Sequence, residues 1–424
     1  MIRVVAAAAL AIALLVVLLT SGTAAPATRA DALVPADAVL YVHVSTDPDR
    51  ELDRRLVERL RAFPALSDVA GAYDRARPWL GDEAAFVVTP VGSATLLAVR
   101  DGRKAAEGAL VGGFSVIGDP VVVAQVRALA GHHGKALADL PDYAELERAD
   151  DRAADLWAAP AATRLLPSAL AFLGGRPISA EVVPTEAGLR VTGRRHGGAV
   201  PAADFEARLL GAVPRDAFAY VGLRGLDVPG LPASAQVLAD ALDGELAVSI
   251  APSTGEPAVT LVARVSDPAQ ARAALAGLQG VVAATLTGSG EATGQVPVFE
   301  ERSVDGHDAY ALTLAGGGEL IYAVVGDRVV VSSREEGLTR ALRDGEGLDD
   351  AGGFRAAVTD VPDRVQALAF VAANQLLELA DESGLDAAET YRAVRPNLAR
   401  IRALGAVVRR QGNDTTAELN LLIP

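Results

Sequence analysis

Cysteine is absent from all 424 residues, which excludes disulfides, thiolate metal sites, a cysteine nucleophile and a lipidated N-terminal cysteine. Stability must therefore come from packing. Aromatic residues are only 4% of the chain, so Ala, Val and Leu must fill the interior, and few rings remain for stacking a base or sugar. Lysine occurs only at Lys104 and Lys135, and the formal net charge is −15. An acidic surface repels phosphate backbones, so no nucleic acid partner is expected.

Recognisable chemistry is equally sparse. GFSVIG (Gly113 to Gly118) has the wrong spacing for a nucleophile elbow, and Ser115 reads as an ordinary strand residue. GSGEATG (Gly288 to Gly294) is one residue off a dinucleotide fingerprint and reads as loop. The five histidines are His43, His132, His133, His196 and His307. His132 and His133 are adjacent and would point different ways, as an exposed loop pair rather than two ligands. Asp344, Glu346, Asp349 and Asp350 lack the alternating order of a calcium loop and read as a solvated segment. No catalytic residue, cofactor or metal ligand is assigned, and the expectation is a protein that is not an enzyme.

What is present is architecture. Arg3, the apolar run Val4 to Leu19 and the small residues Gly22-Thr23-Ala24 make residues 1–30 an export signal or N-terminal membrane anchor. As a helix the run spans roughly 24 Å, short of a hydrocarbon core of about 30 Å. Secretion after cleavage near Ala24 and retention in the membrane with the body outside are both open.

VPADAVLYV (Val34 to Val42) returns as VPRDAFAYV (Val213 to Val221), each copy a Pro/Asp turn feeding a strand. Three more pairs follow in the same order: LGDEAAFVVTP with LDGELAVSIAP, TLLA with TLVA, and VIGDPVVV with VVGDRVVV. The last pair matches Asp119 to Asp327, and its VVV runs read as central strands. A repeat this long predicts duplicated domains rather than a solenoid. Residues 31–193 form the first lobe, 194–204 the linker and 205–424 the second. Hairpins over 178–193 and 405–423 close the two lobes, and a further hairpin turns at Asp305-Gly306.

Helices are expected after Asp47-Pro48, with Leu52, Leu56, Val57, Leu60 and Phe63 on one face, and after Asp267-Pro268, ending at Gly280. Hairpins with helices between them predict an α+β fold, each lobe a mainly antiparallel sheet with helices packed on it. Strand alternation places Val39, Tyr41 and His43 on one face and Leu40 and Val42 on the other, with the hydroxyls of Tyr41 and its counterpart Tyr220 reaching a polar rim.

LVPADAVLYVHVSTDPD, RAFP, WLGDEAAF and YAVVGDRVVVSS resemble an exported bacterial family catalogued as domain of unknown function 3352. That resemblance implies an N-terminal export segment and an extracytoplasmic α+β body, and carries over no functional residue. The expected function is a non-enzymatic binding or structural module of the cell envelope. Its partner is expected to be an envelope protein or apolar small molecule held in a groove between the lobes. The alternatives are an extracytoplasmic hydrolase with a dispersed Asp/Glu/His/Ser site and a carrier or chaperone for lipid or exported protein.

Overall fold

The computed structural model describes residues 28–100, 108–146, 148–165, 176–197, 204–224, 242, 244–286, 298–314, 318–343 and 345–423. The export segment, the GSGEATG stretch and Asp344 lie outside them, as do residues 198–203 of the expected linker. The fold is α+β, rich in antiparallel sheet, with nine α-helices among the described residues. Among those residues no helix is long and apolar enough to cross a membrane. The chain divides into two compact units: Met1–Val200 with Asp386–Arg402 and Gln411–Pro424, and Pro201–Leu385 with Ala403–Arg410.

In the first unit the strands are β1 (Leu40–Ser45), β2 (Leu80–Thr89), β3 (Gly92–Val99), β4 (Ala109–Val111), β5 (Phe114–Gly118), β6 (Ala154–Ala158), β7 (Ile178–Thr185) and β8 (Gly188–Arg195). They pair antiparallel in the order β4-β5-β3-β2-β1-β6-β7-β8, and the C-terminal strand Asp414–Leu422 adds at β8. Alternation along β1 supplies both faces of this sheet. Tyr41 joins Leu96, Phe114, Val116, Tyr143 and Trp157 in one core cluster, while Leu40 and Val42 join Phe86, Ala154 and Ala158 in another. Val39, expected beside Tyr41, packs with Leu40 instead, because it precedes the first residue of β1 and escapes the pleat. Three of the scarce aromatics meet here: Tyr143 meets Tyr41 and Trp157 edge-on, with ring centres 5.9 and 6.2 Å apart.

Helix α1 (Glu51–Arg61) buries Leu56 and Val57 as the spacing predicts, and α2 (Ser67–Ala76) follows. Helix α3 (Pro120–Ala130) presses Val122 and Val126 into the Tyr41 core, and the short α4 (Pro141–Ala144) carries Tyr143.

The second unit contains β9 (Ala219–Arg224), β10 (Glu245–Ala251), β11 (Ala258–Arg264), β12 (Glu300–Val304), β13 (His307–Thr313), β14 (Glu319–Val325), β15 (Arg328–Ser332), β16 (Ala367–Val371) and β17 (Ala403–Gln411). Their order is β12-β13-β14-β15-β11-β10-β9-β16-β17, again antiparallel. Its helices are α5 (Pro268–Leu286), α6 (Glu335–Leu342), α7 (Gly352–Ala357) and α8 (Ala373–Glu382). Helix α9 (Glu389–Leu398) and the C-terminal strand, β18, belong to the first unit.

Several expectations are corrected. The second lobe does not own everything from 205 to 424, because β18 pairs with β8. Strand β8 runs through Arg195, so the expected linker starts too early. The VVV of 121–123 lies in α3, not in a strand, since Pro120 lacks the N–H of a ladder residue and its fixed φ suits the first helical position. Asp119 therefore stands at a helix start and accepts the Ser93 N–H at 2.6 Å, whereas Asp327 lies at the turn into β15 and pairs with Arg264. TLLA and TLVA are offset by one residue: Leu96 lies opposite Ala85, and Val262, not Leu261, lies opposite Ala247. Helix α5 passes through Gly280 to Leu286. The hydroxyls of Tyr41 and Tyr220 are buried rather than at a rim.

Candidate functional site

Two constellations of titratable groups occur in the first unit, and the register of the sheet builds both. His43 and Asp155 are direct partners across β1 and β6, so their side chains share a face. His43 is 0% exposed; its Nδ1 is 3.1 Å from Asp155 Oδ2 and its Nε2 is 3.6 Å from Glu83 Oε2. Arg152 Nε donates to Asp155 at 3.0 Å, and Arg29 Nε and the Ala30 N–H donate to Glu83 at 2.8 and 3.2 Å.

Burial alone would favour neutral imidazole, but Asp155 and Glu83 reverse that and lift His43 to about 9. Burial would raise Asp155 as well, yet His43 and Arg152 bring it down to about 2. Glu83 is likewise held below its usual range by His43, against its own desolvation. This is an imidazolium clamped between two carboxylates. Nδ1 bonds Asp155 while Nε2, 3.6 Å from Glu83, is held by charge and has no hydrogen-bond partner, and with no exposed surface the ring meets no substrate, so its role is to hold β1, β2 and β6 together.

The second constellation lies at the open end of the β7–β8 hairpin. Ser179 Oγ is 2.7 Å from His196 Nε2, and His196 Nδ1 is 3.3 Å from Asp414 Oδ2. Asp414 Oδ1 accepts the Gly197 N–H at 2.9 Å, and the His196 N–H donates to the Pro177 carbonyl at 3.0 Å. His196 and Asp414 retain side-chain exposures of 22% and 26%, enough for contact with solvent. They line a cleft of about 540 Å3 shared with Asp142, Glu145, Arg176 and Arg194. Burial and the nearby Arg194 push the His196 imidazole below its ordinary value, with Asp414 opposing them.

In the second unit Glu245 accepts the Arg208 and Leu209 N–H groups at 2.7 and 2.9 Å. No histidine faces it from β9, where Gly222 lies opposite Ala247. Burial pushes the Glu245 carboxyl up to about 7, and its two backbone donors offset only part of that.

Among the described residues no group of acidic or histidine side chains is arranged to hold a metal ion. His132 and His133 are exposed, and His307 begins β13. Ser115 is buried in β5, and Asp349 and Asp350 sit on an exposed 3-10 turn. The sequence places His43 on the strand face of Tyr41 without a ligand role and His196 only among the five histidines, and it does not reveal Ser179, Asp155, Glu83 and Asp414. The one available signal was the strand register, which pairs position 43 with 155. No family model, curated protein or solved structure matches the chain.

Proposed function

We propose that this chain is an extracytoplasmic protein of the cell envelope, exported or anchored by residues 1–30, whose body is one α+β unit duplicated to make a binding or structural scaffold. The observation that carries the duplication is strand order: β5-β3-β2-β1-β6-β7 in one unit corresponds to β15-β11-β10-β9-β16-β17 in the other. Register supports it. Tyr41 lies opposite Val87 as Tyr220 lies opposite Ser249, and Pro35 bridges Ala136 as Pro214 bridges Gly347. Glu83 receives the Ala30 N–H as Glu245 receives that of Leu209, so each unit uses a buried carboxylate to tie down a 3-10 turn, Arg29–Leu33 in one and Arg208–Ala212 in the other.

In this alignment His43 corresponds to Gly222, so the buried imidazolium is particular to one unit while the carboxylate anchor is common to both. A feature repeated for anchoring and varied in its charge supports a scaffold more than chemistry at that spot. The resemblance to domain of unknown function 3352 implies the same export segment and extracytoplasmic α+β body, and says nothing of activity. A partner from the same compartment, an envelope protein or an apolar small molecule, fits the acidic, ring-poor composition better than nucleic acid. Fractionation of cells making the protein, followed by N-terminal sequencing, tests the location. A chain starting near Ala25 outside the cytoplasm, or an intact N-terminus in the membrane fraction, is expected; an intact chain in the cytosol overturns it.

A further inference from the structure

We propose that the cleft lined by His196 and Asp414 beside the β7–β8 hairpin is a serine acyl-hydrolase site for small, polar carboxylic esters, with the half-buried Ser179, bonded to His196, as nucleophile, His196 as general base and Asp414 as the residue that orients His196. This goes beyond the scaffold reading and is independent of it, since every residue involved lies in the first unit.

The proton positions follow from the donors available. An ionised Asp414 carboxylate can only accept, so the hydrogen between it and His196 sits on Nδ1. Nε2 then carries the lone pair, and Ser179 Oγ, 2.7 Å away, donates to it. Asp414 is itself held, because its other oxygen takes the Gly197 N–H, and Gly197 supplies that N–H from a left-handed conformation, φ +67°. The Pro177 carbonyl fixes the histidine backbone from the other side. Burial and Arg194 keep the imidazole neutral near pH 7, the form that takes a proton. Arg194 is the direct cross-strand partner of Ser179 and its charge acts on His196, so a positive charge is felt at the Ser179–His196 pair where an oxyanion would develop.

Attack of Ser179 Oγ on the ester carbonyl forms the C–O bond and moves the carbonyl π pair onto oxygen, while the serine proton passes to Nε2. Collapse breaks the bond to the alkoxy group, which leaves with that proton as an alcohol. Water then repeats the sequence on the acyl-serine and releases the acid. The net reaction is ester plus water to acid plus alcohol. The size of the cleft and its charged lining, Asp142, Glu145, Arg176 and Arg194, fit a short polar acyl group and disfavour a long alkyl chain.

The experiment uses the full chain with p-nitrophenyl acetate and p-nitrophenyl decanoate, alongside Ser179→Ala and Asp414→Asn variants checked for folding by circular dichroism. Hydrolysis of the acetate above the buffer rate is expected, with loss to that rate in Ser179→Ala and at least about 100-fold loss in Asp414→Asn, whose amide favours the wrong tautomer. The rate should fall with acid through a midpoint below 6.5, and phenylmethylsulfonyl fluoride should label Ser179 in peptide mapping. An unchanged rate in Ser179→Ala, a wild-type rate equal to buffer, decanoate cleaved as fast as acetate, or labelling at another residue each overturns the proposal. None of these outcomes bears on where the protein resides.

Discussion

His43 and Glu245 face the same difficulty, a titratable group shut away from water, and resolve it in opposite ways. His43 keeps its charge because two carboxylates face it, whereas burial of Glu245 outweighs its two backbone donors and the charges of Arg264 and Arg208, so it tends to hold its proton. The pH consequences follow from the directions of the shifts. His43 is raised in the folded state, so its stabilisation is complete below 6.5 and is lost as pH rises through about 9. Asp155 is depressed, so its share is present above 3.8 and is lost as pH falls through about 2. Replacing His43 by Gln removes the cation between two buried carboxylates, leaving each with its own arginine, and a loss of about 3–5 kcal/mol at pH 7 is expected from chemical denaturation. No loss would mean the carboxylates are hydrated or neutral. Glu245 is raised from 4.5 to about 7, so the second unit loses stability as pH climbs through that interval. Glu245→Gln keeps an acceptor for the Arg208 and Leu209 N–H groups while removing the charge. It should stabilise the protein by up to about 2–3 kcal/mol at pH 8 and leave it unchanged at pH 4. Thermal melts at the two pH values decide it, and equal effects at both would refute the assignment.

At the scale of the element, the local turn signals were legible and the long-range ones were not. Asp305-Gly306 makes the expected tight hairpin, with φ of 52° and 82°, because those residues tolerate the left-handed conformation that a two-residue hairpin turn requires. The Asp-Pro at 119–120 carried the same helix-start signal as Asp47-Pro48, but the repeated VVV drew attention to strand instead. Gly280 failed as a stop because one glycine costs a helix only about 1 kcal/mol, and Val281, Val282 and the alanines beyond it continue the helix. The Ser179–His196–Asp414 chain was invisible for a plainer reason: Ser179 and His196 are 17 residues apart, and Asp414 lies 217 from Gly197. The β8–β18 ladder that brings them together includes one very tight contact. Gly188, φ +156°, starts β8 where a Cβ would stand 1.9 Å from the Leu421 carbonyl oxygen. Gly188→Ala should therefore cost about 2–4 kcal/mol, since a backbone atom and not a flexible side chain must yield. A melting temperature within one degree of the parent would show that β18 accommodates the methyl.

For the whole molecule, the order of the chain and the order of the structure part company at the C-terminus. Residues that follow the whole second unit in sequence return to complete the first, with β18 pairing β8 over eight register positions from Thr415 to Leu422. The first unit therefore lacks β18 until residues 414–422 have been made, and it carries the larger sequence separation that slows folding. Removing Asp414 to Pro424 tests how far stability depends on that return. The deletion strips the ladder partner from β8, frees the edge for unwanted pairing and takes Asp414 from His196. The second unit loses no strand, so the two should respond differently in hydrogen exchange followed by mass spectrometry. Peptides from β7 and β8 should lose most of their protection, with a smaller loss in β6 next to them. Peptides from β10 and β11 should exchange as in the intact chain, because their pairings to β9 and β15 are untouched. Uniform loss in both units would mean that the chain unfolds as one cooperative body, and unchanged protection in β8 would mean that β18 adds nothing to the sheet it joins.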